Sequence, residues 1–396
     1  FLTLRMEQSY SKKQILEMYA SHAPFGGNVV GIRAAALKYF NRRPEQLSWA
    51  EAALLAVLPN APALLYPGKN NTLLKQKRDG LLAKLYREGV MSEDSYHLAL
   101  AEPLPEKKFD IPTVAPHLLA KAYREKKGKV CPTYIDGRLQ KKINEIVERH
   151  TALLSQNYIY NMAVLVAHVP TGEVRAYVGN SAPRKGSRGN DVDIVQAVRS
   201  SGSILKPALY ACMLQSGFIL PGTLVPDIPS RFGSYSPSNF NRDFKGVVPA
   251  RQALAQSLNI PFVRLLKDYS YARFYDDLKQ LGIRSLNRDA DHYGLSLILG
   301  GAETSLWDIC NLYGGMSAVL NHYNDRDGQY FDGEYSRLKV WEEYSGAEGQ
   351  DEEEKNISAD RSVLKASAIW QTMKALEEVE RPEMESGWKN FVSAMN

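Results

Sequence analysis

The 396-residue chain has only three cysteines, Cys131, Cys212 and Cys310, and they lie far apart. No CxxC spacing occurs, which excludes a zinc ribbon or a thioredoxin-type centre and leaves no disulfide framework to staple the fold. Its seven histidines form no HExxH or HxxxH pair, so the pattern offers no metal site. No apolar run reaches the ~20 residues that a membrane-spanning helix needs. The longest, Ala52 to Tyr66, is cut by Pro59 and Pro62. No signal peptide and no internal repeat is visible. Net charge is only +5, from 49 basic and 44 acidic side chains, too balanced to indicate nucleic acid.

The chain does have a core-forming composition. With 44% hydrophobic and 23% charged residues it is globular, and its length suits two or three domains. Charge is uneven: residues 1–150 carry 24 basic and 15 acidic side chains, whereas 321–396 carry 9 and 17. A basic first third suits an anionic surface or a phosphate-bearing substrate, and solvated helix faces equally well.

Helical spacing predicts a helical first hundred residues. Residues 1–20 read as helix with no cap ahead of Phe1, which suggests a chain clipped within an element. Pro24–Asn28 is a loop, and Val30–Phe40 a helix. Ser48 and Glu51 form a capping box that opens an apolar helix stopped by Pro59. Lys75–Glu88 is helical, and Ser92 caps a short helix. Prolines 103, 105, 112 and 116 with the basic Lys121–Lys129 stretch mark 101–133 as an interdomain linker, part of which packs. Beyond it Leu139–Leu154 is helical, and Met162–Val169 with Val174–Val178 is a strand–turn–strand hairpin. Ser203–Gln215 reads as a buried helix, and Ala250–Asp268 as two short ones. Leu295–Met316 reads as a glycine-punctuated helix, 321–360 as an exposed acidic excursion, and Val363–Glu380 as helix. The first third is all-α and the rest mixed.

Ser203-Ile204-Leu205-Lys206 is an SxxK sequence. At positions i and i+3 of a helix the two side chains share a face. A serine needs a base to take its proton, and a desolvated lysine can serve. Helix-start N–H groups favour an oxyanion nearby. Ser336–Lys339, Ser362–Lys365 and Ser386–Lys389 match as well. Only Ser203 follows a Ser-Ser-Gly turn and precedes Pro207 and an apolar helix, an entry that exposes a nucleophile. Ser257-Leu258-Asn259, just before Pro261, offers a hydroxyl to relay protons and an amide to hold a carbonyl. Ser285-Leu286-Asn287 and Ser155-Gln156-Asn157 resemble it, and a helix-capping pair is its other reading.

Ser203-x-x-Lys206 followed by Ser257-x-Asn259 resembles the penicillin-recognising serine transpeptidases and β-lactamases. The stretches 199–210, 232–266 and 293–320 look like the transpeptidase domain of a class A penicillin-binding protein. Residues 7–19, 25–40 and 47–67 are similar to the C-terminal half of the peptidoglycan glycosyltransferase domain that precedes it. The loop His22–Asn28 favours the 1C type. The implied fold is α then α+β: residues 1–100, part of an all-helical lysozyme-like glycosyltransferase domain; 101–133, a linker; and 134–396, a penicillin-binding transpeptidase domain without its third motif, Lys-Thr/Ser-Gly.

The resemblance implies a bifunctional enzyme of peptidoglycan synthesis. It would polymerise lipid-linked disaccharide-peptide and cross-link stem peptides at D-Ala-D-Ala. Ser203 would be the nucleophile and Lys206 its base, with Ser257 and Asn259 relaying protons and holding substrate; penicillin would acylate Ser203. Transpeptidation would need no cofactor, and a divalent metal is an expectation for the glycosyltransferase alone. The location implied is the bacterial inner membrane, reached through an N-terminal anchor, with catalytic domains facing the periplasm and no nucleic-acid partner. By the same alignment the two glycosyltransferase glutamates precede Phe1, so Glu7 and Glu17 are exposed helix residues, and the chain is a fragment expected to be poorly active alone. A serine β-lactamase and a non-catalytic glycan- or β-lactam-binding scaffold are the alternative readings.

Overall fold

Residues 1–20 form two helices rather than one. In the computed structural model, α1 (Leu2–Ser9) ends before Ser11. The Ser11 hydroxyl accepts the Gln14 N–H and Gln14 Oε1 accepts the Ser11 N–H at 2.8 Å, a capping box that starts α2 (Lys12–His22). The structure describes residues 2–379 except 107, 111–112, 128, 234, 343–356 and 359–361. These divide into two units, Phe1–Thr113 and Val114–Asn396.

The first unit continues with α3 (Ile32–Phe40), α4 (Trp49–Val57), α5 (Asn71–Arg87) and α6 (Glu93–Ala101). Ser48 and Glu51 form the expected box at the start of α4. Its core gathers Phe25, Ala36, Tyr39, Leu54, Leu58 and Leu74. Arg78 is buried on α5, where it donates to Asp79 Oδ1 and to the Glu102 carbonyl at 2.6 Å, which ties α5 to the end of α6.

In the second unit the former linker segment contains α7 (Pro116–Glu125), whose Leu118 is buried among Val174, Tyr177 and Val195. Asp136 caps α8 (Gly137–Leu154) by accepting two backbone N–H groups. The hairpin is β1 (Val164–Ala167) against β2 (Val174–Val178), antiparallel, with a register shift at Val166/Ala167. Among the described residues no strand pairs with the outer edge of β1. Next come β3 (Arg199–Ser200), α9 (Lys206–Gln215), β4 (Leu224–Asp227) paired with β5 (Gly246–Pro249), α10 (Ala250–Ala255), α11 (Asn259–Tyr269), α12 (Tyr271–Gln280) and α13 (Ala290–Tyr293).

The stretch 295–316 is not one helix. A 3-10 turn over Gly294–Leu299 ends at Gly300, whose φ of 103° suits glycine. The chain then extends into β6 (Glu303–Thr304), which pairs antiparallel with β3. Ser305 restarts helix α14 (Leu306–Asp325) by accepting the Asp308 N–H. The 321–360 excursion is also corrected in part. Glu334, Tyr335 and Val340 are buried, and the Glu334 carboxylate is hydrogen-bonded to His322 and paired with Arg337. The acidic run Asp351–Glu354 lies outside the described residues. The last elements are β7 (Tyr330–Phe331), paired with β8 (Ile357–Ser358), and α15 (Ala366–Glu377).

Helix α9 is the centre of this unit. Lys206 to Met213 are all buried, and α10, α11, α12 and α15 pack around it. Its apolar residues occupy every face instead of one stripe, so only full enclosure satisfies it. Among the described residues no helix is long and apolar enough to cross a membrane.

Two adjacent glycines of α14 test the packing. A Cβ on Gly314 would meet nothing within 4 Å, whereas one on Gly315 would fall 2.5 Å from Tyr335 Cδ1 and 2.8 Å from the Glu334 carbonyl. Gly314→Ala should stabilise by about 0.5–1 kcal/mol through helix propensity. Gly315→Ala should destabilise by about 1–3 kcal/mol through overpacking. Urea midpoints that moved in the same direction would contradict this packing.

Candidate active site

Ser203 lies in the turn that leads from β3 into α9, not in the helix itself. The helix begins at Lys206, whose N–H donates to the Ser203 carbonyl at 3.1 Å. That single turn places residues 203 and 206 on one side. Three long-range bonds hold the turn. Ser201 N–H donates to the Ala302 carbonyl (3.0 Å), Ser200 Oγ donates to the Gly300 carbonyl (2.8 Å), and Tyr313 Oη donates to the Ile204 carbonyl (2.6 Å). Ser203 is half-buried, and among the described residues neither its hydroxyl nor its N–H has a hydrogen-bond partner.

Lys206 is only 1% exposed. Its Nζ lies 2.7 Å from the Ser257 carbonyl, 3.2 Å from Ser257 Oγ and 2.8 Å from Asn259 Oδ1. No carboxylate is among these partners. Burial therefore pushes its pKa down from 10.5 to about 7. The unfolded chain holds this proton up to its ordinary value, so burial of Lys206 opposes folding most below pH 7. That penalty fades as pH rises from about 7 towards 10.5. In the neutral amine, two N–H bonds serve the two pure acceptors, the Ser257 carbonyl and Asn259 Oδ1. The lone pair is left for a hydroxyl, and Ser257 Oγ–H can supply one.

Ser257 reaches Lys206 through an unusual backbone. It follows α10 as the residue whose N–H bonds the Leu254 carbonyl, while Leu258 N–H bonds Ala253, a Schellman motif. The motif calls for a left-handed residue, usually glycine, and Ser257 has φ 51°. Asn259 opens α11, where Asn239 Oδ1 accepts the Asn259 and Ile260 N–H groups at 3.0 and 3.3 Å. Asn239 in turn donates to the buried Asp227 carboxylate at 2.7 Å, and Asp227 also accepts the Lys245 N–H at 3.0 Å. Asn259 Nδ2 donates to the Ser238 carbonyl at 2.9 Å, which fixes its Oδ1 towards Lys206. Asn239 and Asp227 escaped the sequence reading. Ser236-Pro237-Ser238-Asn239 marks a turn, but nothing in it shows which helix the asparagine serves.

The structure thus joins Lys206, Ser257 and Asn259 directly and sets Ser203 one turn away. The competing hydroxyls are engaged elsewhere. Ser336 Oγ donates to Gly333, Ser362 to Leu364, Ser285 to Glu303 and Ser155 to Ala152, all to carbonyls. Ser386–Lys389 lies outside the described residues. Glu7 and Glu17 are exposed on α1 and α2. Among the described residues there is no cluster of three or more His, Cys, Asp or Glu that could hold a metal ion.

A hydroxyl at a helix entry, a buried lysine with a lowered pKa and a Ser–Asn pair around it are the kinds of group that lysine-activated serine acyl transfer requires. Residues 162–389 match the family model of the penicillin binding protein transpeptidase domain, and residues 1–86 match that of the transglycosylase. The chain belongs to the penicillin-binding proteins that carry a transglycosylase domain ahead of a transpeptidase domain. It is 34% identical to penicillin-binding protein 1C of Escherichia coli over 78% of this chain and 40% of that protein. It is 28% identical to penicillin-binding protein 1F of Bacillus subtilis over 76% of this chain and 43% of that protein. The chain thus spans about two fifths of the length of these relatives. The crystal structure of penicillin-binding protein 1A from Haemophilus influenzae shares its fold, with a TM-score of 0.51 at 17% identity over 78% of this chain and 61% of that one.

The left-handed Ser257 gives a two-variant test. Both Ser257→Gly and Ser257→Ala remove the hydroxyl, but only alanine keeps the Cβ strain. Ser257→Gly should be more stable than Ser257→Ala by about 1 kcal/mol. Equal thermal midpoints would contradict the backbone assignment.

Proposed function

We propose that the whole protein builds peptidoglycan, polymerising lipid-linked disaccharide-peptide in its first domain and cross-linking stem peptides in its second. The observation that carries the second activity is the buried Lys206, held by Ser257 and Asn259 one turn from the Ser203 hydroxyl. Neutral Lys206 takes the Ser203 proton while Oγ attacks the carbonyl of the penultimate D-alanine. The Ser203 N–H faces the developing oxyanion as one donor. The proton passes through Lys206 and the Ser257 hydroxyl to the departing nitrogen of the terminal D-alanine. An amine of a neighbouring stem then attacks the acyl-enzyme, and the proton returns along the same groups. Asn259 orients Lys206 through Oδ1, and the second N–H of its Nδ2 is available to a substrate carbonyl. A β-lactam offers the same carbonyl in a strained ring, with a leaving group that stays attached. The steps need no cofactor. We place the protein at the bacterial inner membrane with both domains facing the periplasm, and with no nucleic-acid partner.

Fluorescent penicillin should label the whole protein on one residue, Ser203, and Ser203→Ala should abolish the label. Peptide mapping of the adduct to any other residue would sink the assignment. Because Lys206 must be neutral, acylation should slow about tenfold per pH unit below its pKa of about 7 and level off above it. Arginine stays charged, so Lys206→Arg should lose about 10²–10⁴-fold in acylation rate at every pH. A flat pH profile for the parent protein would remove Lys206 as the base.

A further inference from the structure

A second cleft, of about 580 Å³, opens beyond the far end of the β3–β6 pair. Val198 and Ser305 border it, while the nucleophile turn leaves the same two strands at their other end. None of Ser203, Lys206, Ser257 and Asn259 lines it. Its walls carry two half-buried tryptophans, Trp307 and Trp341, together with four cationic side chains, Lys121, Lys126, Arg284 and Lys339. Two carboxylates also line it, and both are engaged. Glu125 binds Lys121 at 2.6 Å, and Asp308 accepts the Arg284 backbone N–H at 3.3 Å. Lys126 lies over the Trp341 ring at 5.5 Å. Among the described residues Arg284, Lys126 and Lys339 have no acidic partner, and neither indole N–H has an acceptor. The cleft therefore offers the uncovered parts of two indoles packed on the core behind them, surplus positive charge and unused donors, with both of its carboxylates engaged. A ligand that fits must be rich in acceptors, carry carboxylates and present an apolar ring face.

We propose that this cleft is a separate binding site for an uncross-linked glycan strand whose stem peptides carry free carboxylates. The sugar face packs on the indoles, and a stem carboxylate pairs with Arg284. The inference rests on the peptidoglycan reading above and adds a non-reacting site that holds the strand while its stem peptides react elsewhere. The step is binding alone, with no covalent change.

The test is a titration of the whole protein with soluble, uncross-linked glycan-peptide fragments, read by tryptophan fluorescence, with and without saturating benzylpenicillin. Saturable binding should persist in the drug-treated protein. Arg284→Glu and Lys339→Glu, both at exposed positions, should each weaken it roughly tenfold. A chitin oligosaccharide of the same length without carboxylates should bind at least as weakly as fragments bind Arg284→Glu. Binding that penicillin abolishes, or that both charge reversals leave unchanged, overturns the inference. Protein labelled by penicillin that binds no fragment removes the cleft alone. Protein that binds fragments but takes no label removes the transpeptidase reading alone.

Discussion

The second unit is organised around an ammonium group buried without a carboxylate. An isolated charge in a protein interior either pairs or neutralises. Lys206 is given three oxygens and no negative charge, so it is hydrogen-bonded and yet easily deprotonated. Placing an acid beside it would favour the charged form and raise its pKa again. The neighbouring elements follow from that requirement. Helix α9 must be enclosed to desolvate the lysine, and α10 and α11 must meet where their junction turns a carbonyl, a hydroxyl and an amide oxygen towards one point.

That junction explains why a serine stands where glycine would be easier. The Schellman turn points the Ser257 carbonyl and side chain the same way, and the left-handed φ of 51° is the cost of having both. Asn259 is held by a relay rather than by a local cap: Asp227 to Asn239, then Asn239 to the first two N–H groups of α11. Ser203 is positioned in a comparable manner. Residues a hundred positions downstream, Gly300 to Thr304, fix the Ser200–Lys206 turn by strand pairing and hydroxyl bonds.

Much of this was legible in the sequence where local chemistry decides structure. Ser48 with Glu51, the hairpin around Gly172, and the Ser-Ser-Gly entry to α9 are short-range signals, and the structure forms all three elements. Misreadings arose where a distant partner decides. Glycines in 295–316 looked like helix punctuation, but β3 draws the segment into a strand. Polarity made 330–342 look exposed, yet Glu334 is buried, where it meets His322 and Arg337. The break at Ser11 is a capping box with Gln14, set in a stretch whose apolar spacing reads as one continuous helix. At the site, spacing offered Ser203, Lys206, Ser257 and Asn259 among several matches, and the resemblance to the penicillin-recognising serine transpeptidases chose them. Nothing local marked the left-handed backbone of Ser257 or the reach of Asn239.

The loop between β4 and β5 has a further meaning. Asp227, Asn239 and Lys245 bond neither Ser203 nor Lys206, but they set where Asn259 stands. Such a loop is a dial that selection can turn without breaking the machine. If Ser203 and Lys206 carry the proposed reaction, this buried brace can alter the placement of Asn259 while leaving both of them in place. On that proposal, reactivity is tunable from positions that an inventory of reacting residues omits.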